Sequence, residues 1–347
     1  MSSANKVKGL TRFSWQQILG PMLFLVGISY YVGNTGPDLM LGVQVTLCYL
    51  VMVLALQIFV GNSGVLSFGH GAFAMIGAFV SGLATTPVRI KLNALSMKGL
   101  WHPLVSYNLN LYVSLLVAAL VGAVMAGLSG ILIMRLNGLP AGIATFALLG
   151  ISYNFFFNNI SVGPGSQALP LVTKFVRLEE PLGLAILSML LVYFFNISST
   201  GRTLRASRED ILAAPALGIS IFRVRWIAFT LSGALAAIAG AMYSHVAGTV
   251  QVQDYYLGFT FMTLAMLVIG GSGSLWGALL GTIVLAAVGQ ILLYMEQAKP
   301  IFGVTIHIPN GTRAIVIALS LVLTLLWRTS GLSQGREFRF PFVSRHG

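Results

Sequence analysis

The chain alternates long apolar runs with short polar breaks. Between Ser14 and Val88 the only formally charged residue is Asp38, and residues 99–134, 136–173, 255–295 and 314–327 carry no formal charge. A helix needs about 20 predominantly apolar residues to cross a bilayer, so some of these runs hold two crossings. Turn residues divide them, at Gly33-Asn34-Thr35-Gly36-Pro37-Asp38, Gly61-Asn62-Ser63-Gly64, Gly163-Pro164-Gly165 and Gly271-Ser272-Gly273-Ser274. The spans between them are about Trp15–Val32, Leu39–Val60, Val65–Leu83, Leu111–Met134, Gly138–Phe157, Leu182–Ile197, Trp226–Val246, Gly258–Gly270, Leu275–Tyr294 and Ala314–Trp327. The expected fold is all-α: a polytopic transmembrane helical bundle of about ten spans in residues 15–328, with tails at 1–14 and 329–347. The eighth run is short, so the eighth and ninth read as two spans or as a re-entrant hairpin.

The longest polar interruption, residues 198–226, stands between two apolar blocks. It carries Arg202, Arg205, Arg208, Arg223 and Arg225 together with Glu209 and Asp210. Asp210 can cap a helix start, Ile211–Leu217 is Ala-rich and Gly218 can end it, while Pro215 leaves helix–kink–helix as the alternative. Lys and Arg are retained on the cytoplasmic side. With the N-terminus inside, the inner segments hold 13 Lys and Arg and the outer segments seven, which puts both termini and this segment in the cytoplasm. Charge alone requires no more than an ordinary retained loop. A helix lying outside the bilayer between two spans could also transmit force from a cytoplasmic partner.

Composition sharpens the class. Hydrophobic residues make up 56% and charged residues 8% of the 347, and mean hydropathy is +0.88. A soluble domain carries about 25% charged residues, so this chain has too few to cover a water-facing surface. The net charge of +12 is spread over the ends of apolar runs rather than gathered in a patch, which argues against nucleic acid as a partner and leaves membrane lipid as the surroundings. The single Cys48 lies in an apolar run and reads as a packing residue. No G-x-x-x-x-G-K-[ST], no H-E-x-x-H and no Cys/His cluster occurs, so the sequence predicts no catalytic, cofactor-binding or metal site and no enzyme. Asp38, Asp254 and Glu296 fall at span ends, which leaves no buried acid pair for proton-driven transport. The remaining classes are the membrane subunit of a multi-chain pump and a passive small-solute channel.

Two features inside the runs carry candidate roles. Small residues recur at four-residue spacing (Gly122/Ala126, Ala123/Gly127, Gly233/Ala237, Ala236/Gly240, Gly277/Gly281), a pattern that lets helix backbones approach closely in lipid. His70 falls inside an apolar segment, with Asn62, Ser63 and Ser67 nearby. It reads either as a packing histidine bonded to a neighbour or as a lining residue of a solute path through a glycine-broken helix. His245, at an outer span end, reads as solvated.

Three stretches, in order, resemble the LivH/LivM permease family, the membrane subunits of branched-chain amino-acid ABC importers, and most resemble the LivM type. Gly61 to Phe73 is similar to a G-x-x-G-x-x-S-x-G-H-x-A-F run, Gly201 to Ile219 to G-R-x-L-R-A-x-R-E…A-A-x-A-L-G-I, and Leu267 to Gly281 to a glycine-rich G-G-x-G-S-x-x-G-x-x-x-G run. The resemblance covers roughly residues 40–330. It implies that the central segment is a cytoplasmic coupling helix of pattern E-A-A-x-x-x-G that docks into an ATPase. Ala213, Ala214 and Gly218 keep that spacing, but Leu212 stands at the Glu position and the acids fall earlier. The coupling residues it implies are Arg205, Arg208, Glu209, Ala213, Ala214 and Gly218. The implied partners are a second, LivH-like permease, two ABC ATPase subunits that carry the ATP and Mg, and an extracytoplasmic solute-binding protein, in a prokaryotic plasma (inner) membrane. The implied solutes are branched-chain or related amino acids, with urea or short amides as the alternative within the family.

Overall fold

The computed structural model describes residues 16–93, 99–169, 177–298, 308–309, 311–327, 331–334 and 337. The N-terminal tail expected at 1–14 lies outside them, as does most of the tail at 329–347. Helices α1 (Gln16–Gly33), α2 (Pro37–Leu56), α3 (His70–Thr85), α4 (Val88–Asn93), α5 (His102–Ser106), α6 (Leu111–Ile133), α7 (Leu139–Asn158) and α8 (Glu179–Ile197) follow in order. Then come α9 (Ser199–Glu209), α10 (Ile221–Ala247), α11 (Leu257–Gly270), α12 (Leu275–Glu296) and α13 (Thr312–Trp327). Among the described residues, seven helical stretches are long and apolar enough to cross a membrane, and α1 and α3 are shorter apolar helices. This is a multi-pass membrane protein. All ten expected spans carry a helix, and the eighth and ninth are two separate stretches of crossing length, Val252–Gly270 and Leu275–Glu296.

Helix α10 is the most enclosed of the long helices and packs on α2, α3 and α6. The seams are built on the small residues. A Cβ on Gly77 would strike the Ala237 carbonyl, and one on Gly240 the Ala74 carbonyl, so α3 and α10 meet backbone to backbone at both points. Gly122 and Gly233 accommodate the methyl groups of Ala237 and Ala126 in the same way between α6 and α10. Between α11 and α12, Gly281 lies on the Met266 carbonyl and Gly270 on the Gly277 carbonyl. In lipid, where burial of apolar surface no longer drives association, such close approach is what gives packing its strength. The outer face of α6 exposes Leu116, Leu120, Leu128 and Leu132, suited to lipid.

The third expected span is only partly helical. α2 runs into a π-turn, Gln57–Gly61, after which Gly64 (φ 70°) takes the chain out of helix as far as Gly69. A side chain at Gly64 would be strained at that φ, and the freed N–H groups need partners. Val65 N–H donates to Ser63 Oγ at 3.2 Å and Phe68 N–H to Thr145 Oγ1 at 3.2 Å. His70 therefore starts α3 instead of standing in mid-span.

At the end of the bundle away from this break, Lys91 is buried and donates to the carbonyls of Leu104 (3.1 Å) and Tyr107 (2.7 Å), which closes the loop between α3 and α6. His245 is fully buried, not solvated: its Nε2 lies 2.8 Å from Ser81 Oγ, which in turn lies 2.8 Å from Ser114 Oγ. Those hydroxyls on α3 and α6 make it an interhelical pin. Glu296 Oε1 accepts from the N–H groups of Gly311 (3.0 Å) and Arg313 (2.9 Å) and so caps α13. Cys48 is buried among apolar neighbours, as its context predicts.

Candidate functional site

The central segment folds differently from the expected helix at 211–217. Ser198, in extended conformation, accepts the Gly201 N–H at 3.1 Å and so starts α9 at Ser199. Gly201, Leu204 and Ser207 face inward; a side chain on Gly201 would strike the Phe195 carbonyl. Asp210 ends this helix instead of beginning the next. Its Oδ1 accepts the N–H groups of Leu212 and Ala213, both at 2.9 Å, a local turn that competes with helix. Pro215 then confines the chain to one short 3-10 turn, Ala214–Leu217, closed by Gly218 at φ 75°. This turn buries Ala214 and exposes Ala213, Leu212 (90%) and Leu217 (78%). The Leu212 position, where the family pattern has Glu, is the most exposed apolar point of the turn.

Arg205, partly buried, and Arg208, exposed, turn the other way, toward the helix break. Arg205 donates to Asn62 Oδ1 at 2.7 Å and to the Asn196 carbonyl at 2.5 Å; Arg208 donates to the Gly61 carbonyl at 2.9 Å, and its stem lies across Gly64. The Asn62 amide completes the knot with bonds to the carbonyls of Gln57 and Ile58 and to Asn196 Oδ1 at 3.1 Å. Two groups of residues that the sequence assigned to separate roles thus meet at one place. Burial lowers the pKa of Arg205 from its ordinary value, the Arg202 charge adds to this, and Glu337 opposes it. The guanidinium is the fixed partner of the helix break.

The third glycine-rich run closes on the same place. Gly61 has no room for a side chain because the Ser272 carbonyl, in the turn between α11 and α12, lies against it. Part of the C-terminal segment seals that turn: Leu332 and Ser333 N–H donate to the carbonyls of Ile269 (2.8 Å) and Gly270 (3.0 Å). The Glu337 carboxylate accepts the first N–H groups of α12, from Leu275 at 2.9 Å and Trp276 at 3.3 Å. Burial raises the Glu337 pKa, with those N–H bonds and Arg205 opposing the shift. The sequence reading missed Asn196 and Glu337. Asn196, a lone amide at a span end next to the arginines, was a usable signal; nothing local marks Glu337.

The other path candidates divide. Ser63 is spent on its turn. Ser67 Oγ lies 3.0 Å from His70 Nδ1, and His70 Nε2 lies 2.9 Å from Ser232 Oγ on α10. His70 is fully buried, with Phe59, Phe73 and Phe229 around its ring. In this conformation it pins the chain beyond the break to α10. Glu209 is exposed beside the turn. The arrangement can tie the motion of an exposed turn to that of a broken helix.

With this geometry in place, the likenesses to known proteins fall on the same region. A family model described as the branched-chain amino acid transport system / permease component matches residues 39–326. The high-affinity branched-chain amino acid transport system permease protein LivM of Escherichia coli K12 is 25% identical over 321 residues, covering 83% of this chain and 68% of LivM. LivH of the same system and strain is 30% identical over 274 residues, covering 70% of this chain and 81% of LivH. The autoinducer 2 import system permease protein LsrC of Enterobacter sp. strain 638 is 33% identical over 199 residues, covering 53% of this chain and 57% of LsrC. The break, the exposed turn and the glycine seams all lie within the matched residues, and this multi-pass membrane chain belongs to the family of branched-chain amino acid transport system permease components.

Proposed function

We propose that the chain is the transmembrane permease subunit of an ABC importer for branched-chain or related amino acids, driven by ATP hydrolysis on separate subunits. One observation carries the reading: the turn at 210–218 presents Leu212 and Leu217 outward while Arg205 and Arg208, on the helix leading into it, grip the break at Gly61 and Asn62. A partner that moves the turn moves the broken helix with it. An ATPase pair docked on this end would bias the permease between two states by binding one of them better. The end that bears α9 is then cytoplasmic, as the arginine bias requires. A second, LivH-like permease and an extracytoplasmic binding protein complete the assembly, and ATP and Mg bind the ATPases. The residues that couple are Arg205, Arg208, Glu209, Ala213, Ala214 and Gly218, with Leu212 and Leu217 as the contact surface.

The test is gentle purification from native membranes with identification of the co-purifying chains. P-loop ATPases and a second permease are expected. A stable homo-oligomer alone, in several mild detergents, would overturn the reading in favour of a passive channel.

A further inference from the structure

The non-helical residues 64–69 run at membrane depth. Gly64 lies under the Arg208 stem, while His70, directly after the segment, is 2.9 Å from Ser232 on α10. Ser232 stands eleven residues beyond Ile221, about 16 Å along that helix. The segment therefore climbs from the α9 end toward the middle of the bilayer. Val65 and Phe68 N–H have partners, but the N–H groups of Leu66 and Ser67 make no hydrogen bond among the described residues. Non-helical backbone at this depth is tolerated where protein or water covers it, not where lipid does.

One side of the segment is open. Leu66 is 51% exposed, and its carbonyl lies over Gly142 of α7. The Phe68 ring stands between Phe146 on α7 and Phe261 on α11, 5.9 Å and 5.8 Å away centre to centre, and both flanking rings are exposed. Tyr153 on α7 and Tyr256, just before α11, stack at 4.1 Å and close the end away from Arg208. Helices α7 and α11 thus wall a groove floored by the break. Three- and four-residue spacing puts Gly150 on the Phe146 and Tyr153 face of α7, and Gly258 on the Phe261 face of α11. A Cβ on either glycine would meet nothing within 4 Å, whereas Gly77, Gly122, Gly233 and Gly240 are each filled by another helix. Gly27 on α1 and Gly183 on α8 are equally open but lie on helices outside this groove.

We propose that this groove is the seat of the second permease subunit: one of its membrane-spanning helices lies between α7 and α11 and shuts the break off from lipid. Exposed Phe and Leu side chains alone would suit acyl chains; the unbonded backbone beside them does not. The helix that fits has small residues where it passes Gly150 and Gly258, so that backbones approach closely. It also offers a hydroxyl or amide oxygen to the N–H groups of Leu66 and Ser67. The proposal rests on the importer reading for the existence of the second subunit and adds the face that receives it.

The test uses the full assembly. Gly150→Leu adds a side chain where this chain has open space, so the variant should reach the membrane at the natural level. It should cut co-purification of the second permease at least tenfold, and Gly183→Leu should leave it within twofold. In a second measurement, Ile143→Cys, on the groove face of α7, is placed in a Cys48→Ser chain and labelled with a benzophenone maleimide. Leu120→Cys, on the outer face of α6, is the control. Illumination in the membrane should join the Ile143 position to the second permease with at least ten times the yield of the Leu120 position. Where the two measurements differ, the adduct decides. Lipid adducts alone at both positions, while the second permease still co-purifies, overturn the groove as the seat and leave the importer standing. An adduct of two copies of this chain overturns the second permease as its occupant. A natural chain that brings no second permease with it overturns the importer reading itself.

Discussion

At the scale of single residues, Arg205 has no ready substitute. Its planar fork reaches an amide oxygen and a carbonyl oxygen at once, which a lysine cannot reproduce. Arg205→Ala would leave the oxygens of Asn62 and Asn196 without this donor, at a cost of about 1–3 kcal/mol. The expected outcome is a lower unfolding temperature for the purified assembly, and solute stimulation of ATP hydrolysis that falls more than basal hydrolysis does. Equal loss of both would reduce the role to stability alone. His70 was legible as a polar residue in an apolar run. Its partner was not, because Ser232 lies 162 residues away on α10 and nothing in the local pattern joins them. The same holds for His245, whose place near a span end gave no hint of the serines that hold it.

At the scale of elements, the boundaries of the central segment show how two readings of one residue diverge. Asp210 is as good a helix start as it is a turn former, and the sequence alone does not choose. Ser198 chooses: by starting α9 at Ser199 it brings Asp210 to the end of a three-turn helix, where its carboxylate serves the N–H groups beyond. The short 3-10 turn that follows leaves Leu212 and Leu217 exposed. Fully burying a leucine contributes about 1.5–3 kcal/mol. The double change Leu212→Ser and Leu217→Ser is therefore expected to weaken ATPase retention at least tenfold in a pull-down, with the chain itself still in the membrane. Retention within twofold of the natural chain would remove these residues from the contact surface. The seams tell a plainer story. The small-residue spacing predicted close approach, and Gly240→Val, thrust against the Ala74 carbonyl, should cost at least the ~1–3 kcal/mol of an overpacked core, read as loss of folded protein in detergent.

At the scale of the whole molecule, long apolar runs made the all-α class and the order of the helices legible, since hydrocarbon demands that backbone groups be satisfied within each span. Which helix packs on which was not legible, because helices apolar on every side carry no stripe to show the buried face. The convergence of three distant glycine runs on one end was equally hidden, although all three were recognisable singly. The C-terminal segment that seals this end gives a pH dependence with a definite sign. Glu337 has a folded-state pKa raised above the ordinary 4.5, so the docked segment binds more protons than the released one. Docking is therefore strongest at low pH and weakens as pH rises through that raised value, above which the carboxyl is ionised in both states. Hydrogen-exchange protection factors of the Leu332 and Ser333 amides should be larger at pH 5 than at pH 8. Glu337→Gln should flatten the difference. Protection that grows toward pH 8 would reverse the assignment.

The bond between Arg205 and Asn62 spans 143 residues of chain. At a synthesis rate of about 5–20 residues per second, Asn62 waits roughly 7–30 s in the growing chain before its arginine is made. During that interval its side-chain oxygen, destined for a packed interior, lacks the donor that it has in the folded chain. Water at the bilayer surface, a lipid headgroup or an insertion factor must cover it meanwhile. A ribosome that stalls between the two codons leaves a half-made bundle with an unsated polar group at its membrane edge, the kind of flaw that membrane proteases are able to read.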